Sequence, residues 1–226
     1  MAYTMTHIYI AEKVAERLGE IKDFPTYVLG TIAPDAVHAS DTYVVTDKER
    51  SHLFTEGLHW GKISNVTQAD AWVGSIRRFY KNNKDKYNHD FLLGYIVHLY
   101  ADVYNSMQFY YPYICSIGGN LNNENREHFL KENYGYNYFL YLDYSNNHNL
   151  KEMLESAKAE TIDGVLSKEV IKKRIEQLYE YEFAERDISD IEEYTICSQK
   201  VMDKLISDGS DYVVDELKLL GIECAE

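Results

Sequence analysis

The stretch GYIVHLYADVYNSMQ, residues 94–108, combines an apolar, helix-like pattern with two side chains that can do chemistry, His98 and Asp102. Positions i and i+4 lie on one face of an α-helix, about 6 Å apart along its axis, so this imidazole and this carboxylate can bind one metal ion. A core histidine hydrogen-bonded to a carboxylate explains the pair equally well. In either case a buried carboxylate must be compensated by a cation or a proton.

Three further residues of ligand type precede this pair in the chain: His7, Asp35 and His52. Each also has an ordinary interpretation. His7 lies on the apolar face of the predicted first helix, where a histidine usually belongs to the core. Asp35 follows a proline in GTIAPDAVH and can cap the next helix, and His52 in RSHLF can be a surface residue.

A second pair at i, i+4 spacing, His128 and Glu132, lies in the segment REHFLKEN. The same geometry allows both side chains to bind a metal ion. A solvated helix face explains the spacing equally well, because charged and polar residues are usually exposed. The argument for a metal site therefore depends on the number of ligand-type residues in a helical chain more than on any one pair.

Helical periodicity dominates the sequence around these residues. Apolar side chains recur every three or four residues, which predicts helices at about residues 6–18, 67–80, 88–110, 150–159, 167–181 and 191–206. No strand pattern competes with them, and only 3 prolines and 12 glycines interrupt the chain. Residues 31–55 and 111–125 have the composition of loops. No linker divides the sequence, so we predict an all-α fold, with a single helical domain over residues 1–226.

Charge and composition limit the classes of function. The 226 residues carry 23 Lys and Arg against 37 Asp and Glu, a formal charge of -14, so attraction to nucleic acid or to anionic membranes is not expected. A phosphate-bearing substrate would need a local positive centre. Three scattered cysteines favour free thiols over disulfides or a CxxC metal site. With no secretory signal and no run of about 18 apolar residues, we expect a cytoplasmic protein without a transmembrane segment.

The order of these motifs resembles the zinc-dependent phospholipase C family, whose superfamily includes single-strand-specific nucleases. An early helix with His7 is followed by GTIAPD, then SH, then GYIVHLYADV, within about the first 135 residues. The resemblance implies a multi-helix bundle of the phospholipase C / single-strand-specific nuclease type that gathers two or three zinc ions in a cleft, with other divalent metals as an alternative. The C-terminal helices would complete the bundle.

The resemblance also implies how the ligands divide between the first two ions. One zinc ion would be held by four residues, Asp35, His52, His98 and Asp102. Asp102 would bridge to a second zinc ion, which His7 also binds. Because these ligands come from well-separated segments, the prediction requires those segments to meet in the interior of the bundle.

A third ion would take His128 and Glu132 as ligands, again by resemblance. Gln108 stands where the family has a further histidine. This substitution weakens the third site, because an amide oxygen is a poorer zinc ligand than an imidazole. Asp143 and His148 are alternative ligands in YLDYSNNHN, although a polar turn explains them better.

These features predict a metal-dependent hydrolase of phosphoric esters, phospholipase C-like, that uses two or three metal ions to activate water. Bound cations would supply the positive centre that the acidic chain lacks. Asp35 would be catalytic as well as a ligand, because it can orient or deprotonate the attacking water. The expected substrate is a small phosphate ester or a phospholipid head group. Two alternatives stay open: a non-catalytic metal-binding or interaction protein with a degenerate site, and a nuclease of the same superfamily.

Overall fold

The structure, a computed structural model, describes residues 3–19, 21–55, 57–59 and 61–225. Within these residues the regular secondary structure is helical and no strand forms, which confirms the all-α prediction. The described chain contains ten α-helices: α1 Thr4–Ala15, α2 Phe24–Gly30, α3 Val45–Ser51, α4 Val66–Asn83, α5 His89–Asn105, α6 Tyr111–Ser116, α7 Asn123–Ser145, α8 Leu150–Ser156, α9 Lys168–Gln177 and α10 Gln199–Leu219.

Short segments of tighter or wider helix connect several of these elements. The 3₁₀ segments are Ala33–Ala39 and Ile191–Glu193, and the π-helical segments are Ser106–Tyr110, which continues α5, and Leu178–Glu182, which continues α9. The segment predicted as a loop at 31–55 therefore contains a 3₁₀ segment and α3. The loop predicted at 111–125 contains α6, and the last predicted helix begins later than expected, at Gln199.

Periodicity alone did not predict α2 or the full length of α7. Helix α2 has only seven residues, and it begins at an aspartate cap in which the Asp23 side chain accepts a hydrogen bond from the Thr26 backbone. Helix α7 buries polar side chains such as Asn133 and Asn137 beside its tyrosines. A helix that buries polar residues lacks the apolar stripe by which an amphipathic helix is recognised.

Asparagine side chains begin four of the described helices. Asn65, Asn88, Asn122 and Asn149 accept hydrogen bonds from the first-turn backbone amides of α4, α5, α7 and α8. An asparagine at this position satisfies one of the amides that a helix start leaves without a partner. The start of the central helix α5 is thus determined locally by Asn88.

Helix α5 lies at the centre of the bundle and packs against α1, α2, α4 and α10. Nearly all its side chains are buried in one continuous apolar core. The two polar exceptions near its middle, His98 and Asp102, are buried as well. Among the described residues, no helix is both long enough and apolar enough to cross a membrane.

Helices α2 and α5 approach each other closely at Gly30 and Gly94. A Cβ atom on Gly30 would lie 2.2 Å from the Phe91 carbonyl oxygen, and one on Gly94 would lie 2.0 Å from the Tyr27 carbonyl oxygen. Real Cβ atoms do not come so close to backbone, so only glycine permits this crossing. The contact brings the end of α2, and the 3₁₀ segment after it, against the middle of α5.

Candidate metal centre

Five of the predicted ligands come together around the middle of α5. His7 comes from α1, Asp35 from the 3₁₀ segment Ala33–Ala39, His52 from the end of α3, and His98 and Asp102 from α5 itself. Their donor atoms form two overlapping groups, one with His7, Asp35 and His98 and one with His52, His98 and Asp102. Within each group the donor atoms lie within 4.8 Å of one another.

The distances between donor atoms fit a small metal ion. Ligand atoms about 2.0–2.1 Å from a tetrahedral zinc ion lie about 3.3–3.4 Å from one another. The His52 Nε2 atom lies 3.3 Å from His98 Nε2, 3.4 Å from Asp102 Oδ2 and 3.5 Å from Asp35 Oδ1. His98 Nε2 lies 3.9 Å from Asp102 Oδ2. The contacts of His52 with the other three predicted ligands therefore have the spacing of a tetrahedral site, whereas Asp35 shares its donor group with His7 and His98 and not with Asp102.

Backbone carbonyls orient the two central imidazoles. His98 Nδ1 lies 2.7 Å from the Thr31 carbonyl oxygen, and His52 Nδ1 lies 3.0 Å from the Lys48 carbonyl oxygen. A carbonyl only accepts hydrogen bonds, so each Nδ1 carries the proton and each Nε2 presents a lone pair. Two such lone pairs face each other across 3.3 Å, an arrangement that a cation between them would stabilise.

His7 provides a second indication that this cluster suits a metal ion. Its ring is buried and stacks on the His98 ring with centroids 3.7 Å apart. Within the described residues neither of its ring nitrogens makes a hydrogen bond, although Nε2 lies 3.4 Å from Asp102 Oδ1. A buried polar atom without a hydrogen bond is costly, and coordination to a metal would remove that cost.

Asp102 presents its two oxygens to different histidines. Oδ1 lies nearest to His7, whereas Oδ2 lies near His52 and His98. A carboxylate has lone pairs on both oxygens and can ligate through either. This orientation is the one that the resemblance implies for a bridging Asp102, and it gives His7 a place in the same site.

The electrostatics of the site keep the Asp35 and Asp102 carboxylates charged and the His52 and His98 imidazoles neutral. Burial alone would raise the pKa of Asp35 and of Asp102. The Lys48 charge holds the pKa of Asp35 well below its usual value, and the nearby His52 and His7 side chains do so for Asp102. Burial lowers the pKa of His52 and, more strongly, of His98. Deprotonated carboxylates and neutral imidazoles are the forms that bind metals.

Lys48 is part of this site, although the sequence analysis did not identify it. Its side chain is 1% exposed, and its Nζ donates a hydrogen bond to Asp35 Oδ1 at 2.5 Å. The signal in the sequence is the spacing: Lys48 precedes His52 by four residues in α3, so both face the same way. Because residues 31–55 were predicted to be a loop, the helical i, i+4 spacing of Lys48 and His52 was not recognised.

His38 lies at the edge of the same cluster. It follows Asp35 by three residues in the 3₁₀ segment, whose three-residue turn places both on one side. Burial lowers the pKa of His38 to about 4, against the opposing effect of Asp35; Lys48 and Arg174 lower it further. Its Nε2 makes no hydrogen bond within the described residues. His38 is therefore a neutral imidazole beside the least buried ligand.

The structure does not bring His128 and Glu132 to this cluster. They are absent from both donor groups formed by the described residues. The Glu132 carboxylate accepts hydrogen bonds from the backbone amides of Thr195, Ile196 and Cys197, and from His128 at 2.7 Å. This buried carboxylate holds the segment before α10 against α7. Because Glu132 already accepts these hydrogen bonds, the structure does not support a metal at this pair, and the third ion stays a prediction.

The other residues considered for a third ion lie at the surface. Gln108 is exposed in the π-helical segment Ser106–Tyr110, and His148 is exposed and stacks on Tyr144. Asp143 is exposed and accepts a hydrogen bond from the Tyr9 hydroxyl at 2.6 Å. Neither Asp143 nor His148 belongs to a donor group within the described chain.

The cluster is closed to solvent except at one side. Four of the five donors are at most 1% exposed, whereas the Asp35 side chain is 12% exposed. Five surface cavities of the described chain are lined by other residues. Asp35 is therefore the donor of this centre that is most accessible to solvent.

Comparison with known proteins assigns no family to this chain. No protein-family model matches it, and no curated protein or solved structure matches it with significance. The assignment of a function therefore depends on the geometry of the His–Asp cluster.

Proposed function

We propose that this protein is a metal-dependent hydrolase of phosphoric esters, phospholipase C-like, with its metal centre formed by five residues: His7, Asp35, His52, His98 and Asp102. The observation that carries the proposal is the convergence of these donors from four separate segments into two overlapping groups. In these groups His52 Nε2 lies 3.3 Å from His98 Nε2, 3.4 Å from Asp102 Oδ2 and 3.5 Å from Asp35 Oδ1, close to the ligand spacing of a tetrahedral zinc site. Zinc is the metal favoured by imidazole and carboxylate donors at such distances, and other divalent ions of similar size are alternatives.

Different residues of the chain would have different roles in such a reaction. A bound divalent ion supplies a Lewis acid for a phosphoryl oxygen and lowers the pKa of water. Asp35, as the donor nearest to solvent, accepts a hydrogen bond from the attacking water and orients it. His38 stands on the same side as a neutral imidazole and donates or accepts a hydrogen bond at a substrate oxygen. The buried donors exclude bulk water from the rest of the centre.

The expected substrate is a small phosphate ester or a phospholipid head group in the cytoplasm. Narrow access beside Asp35 favours a small phosphoryl group over a long polymer. The formal charge of -14 argues against the nuclease alternative, because nucleic-acid binding relies on attraction to phosphates. Cys115, Cys197 and Cys224 are free thiols, which favours a reducing compartment.

A second candidate is a non-catalytic metal-binding protein. The burial of His7, His52, His98 and Asp102 favours it, since structural zinc sites are closed whereas catalytic sites keep an open position. The two candidates share the metal ligands and differ in whether a substrate reaches Asp35.

The test combines metal analysis with hydrolysis of a chromogenic phosphodiester, bis(p-nitrophenyl) phosphate, and of p-nitrophenyl phosphorylcholine. The wild-type protein should contain zinc and hydrolyse at least one substrate, and His98→Ala should lose both, with His148→Ala as an exposed-histidine control. Bound metal without hydrolysis would favour the non-catalytic candidate. Hydrolysis by a metal-free His98→Ala, Asp102→Ala protein would refute the proposal.

A further inference from the structure

Lys48 is the one cation that makes direct contact with the donor cluster in the described residues. Lysine is almost never fully buried unless it is paired, and Lys48 is 1% exposed. Its Nζ lies 2.5 Å from Asp35 Oδ1, the same oxygen that lies 3.5 Å from His52 Nε2. An oxygen with two lone pairs can accept from Lys48 and still face the cluster.

The charges of the cluster limit how many metal ions it can hold. Within the described residues, Asp35 and Asp102 contribute two negative charges, Lys48 contributes one positive charge, and histidine ligands are neutral, so these side chains carry a net charge of -1. Arg174 influences His38 but is paired with Glu182, and that pair adds no net charge. One divalent ion brings the site to +1, which a hydroxide or a phosphodiester anion neutralises.

A second divalent ion would bring the same buried site to +3. Uncompensated charge in the interior is costly because the protein solvates it poorly. The acidic groups that would be needed are absent from both donor groups of the described chain, which contain no carboxylates besides Asp35 and Asp102. The Lys48 ammonium therefore stands beside Asp35 in place of another metal ion.

We infer that Lys48 is a built-in second cation of this centre, and that it limits the cluster to one divalent ion per chain. The inference rests on the proposed function for the presence of the metal. It revises the expectation of two or three ions, whose third site also lacks ligands because Glu132 is engaged elsewhere. Lys48 acts here through Asp35 and is a positioning residue.

The test is the number of zinc ions per chain, measured by elemental analysis after saturation with zinc and removal of loosely bound metal. Wild type should hold one. Lys48→Met keeps the length and packing of the side chain but brings the donor set to -2. Two ions would then leave a charge of +2 instead of +3, so zinc content should rise above one ion per chain. Lys151→Met removes an exposed lysine from a surface ion pair and should leave one ion.

A second measurement covers the case in which Lys48→Met does not fold. Removing one partner of a buried pair is strongly destabilising, whereas replacing both is often tolerated. The double variant Lys48→Met, Asp35→Asn restores the net charge of -1 and should fold and hold one ion through His7, His52, His98 and Asp102. In chelator, Lys48→Met should melt well below Lys151→Met, because it leaves Asp35 without its cation.

The outcomes separate this inference from the proposed function. Two or more tightly bound ions in wild type would overturn the role of Lys48 and leave the hydrolase proposal standing. One ion in a folded Lys48→Met protein would overturn it as well. A wild-type protein that binds no zinc would overturn both.

Discussion

His98 precedes Asp102, and His128 precedes Glu132, by the same four residues in a helix. Only the first pair belongs to the donor cluster. His98 directs its Nε2 at other donors because the Thr31 carbonyl binds its Nδ1. His128 is half exposed and donates to a glutamate that backbone amides already hold. The side chains around each pair, and not the spacing, separate a metal site from a structural contact.

At this scale we predict that Glu132→Gln destabilises the protein and leaves its metal content unchanged. An amide keeps only one acceptor oxygen, so backbone amides at Ile196 and Cys197 lose a charged partner in a buried place. The expected loss in the free energy of unfolding is about 2–3 kcal/mol, measured by urea denaturation.

The matched control for that variant is Glu127→Gln, an exposed position on the same helix. It should change stability by less than about 0.5 kcal/mol. A Glu132→Gln protein that keeps wild-type stability but loses zinc would restore the third-ion interpretation of this pair.

Helices α2 and α5 determine the geometry of the centre at the scale of whole elements. Their crossing at Gly30 and Gly94 sets the Thr31 carbonyl against His98, and the chain then leads directly to Asp35. Helix α3 follows and supplies Lys48 and His52 from one face. The site thus depends on how closely two backbones approach.

We predict that Gly94→Ala is strongly destabilising, although alanine is normally favoured over glycine inside a helix by about 1 kcal/mol. The new Cβ would lie 2.0 Å from the Tyr27 carbonyl oxygen, so α2 must move away from α5. We expect a loss of at least about 3 kcal/mol in thermal or urea unfolding, with weaker zinc binding because His98 loses its orienting carbonyl.

Gly74→Ala in α4 provides the comparison. Its Cβ would meet only the end of the Arg78 side chain, at 3.4 Å, so helix propensity should dominate and stabilise the protein by about 0.5–1 kcal/mol. Equal effects of the two substitutions would contradict the close crossing of α2 and α5.

The whole molecule is acidic outside, yet it buries imidazoles beside a lysine. Burial lowers the pKa of His38, His52 and His98 below the ordinary value of 6.5. The unfolded chain therefore takes up protons at these positions before the folded chain does. Their contribution to stability is complete above about pH 6.5 and is lost as the pH falls toward the folded-state pKa values.

We predict that the free energy of unfolding of the metal-free protein falls between pH 6.5 and about 4. His38→Gln removes one of the titrating groups, whose pKa is lowered from 6.5 to about 4, and should reduce this fall by about 2–3 kcal/mol. Urea denaturation at a series of pH values in chelator measures it. His148→Gln, an exposed control, should leave the pH dependence of the free energy of unfolding unchanged. The same pH dependence in His38→Gln as in wild type would contradict the burial of the His38 imidazole.

The sequence by itself determined the helical class and most of the donor residues. Helical periodicity and ligand chemistry are local properties, so α1, α4 and α5 and the pair His98 and Asp102 could be predicted from them. The long helix α7 escaped prediction because polar residues such as Asn133 and Asn137 occupy its buried face.

Only the tertiary structure decided which of these residues meet. The glycine crossing of α2 and α5 brings Asp35 and Thr31 to His98, and packing of α3 buries Lys48 against Asp35. Tertiary packing also places the Glu132 carboxylate where it accepts a hydrogen bond from the Cys197 backbone amide, in the segment before α10. Each of these contacts joins residues far apart in the chain, and its energy comes from desolvation and neighbouring charge, which no local pattern contains.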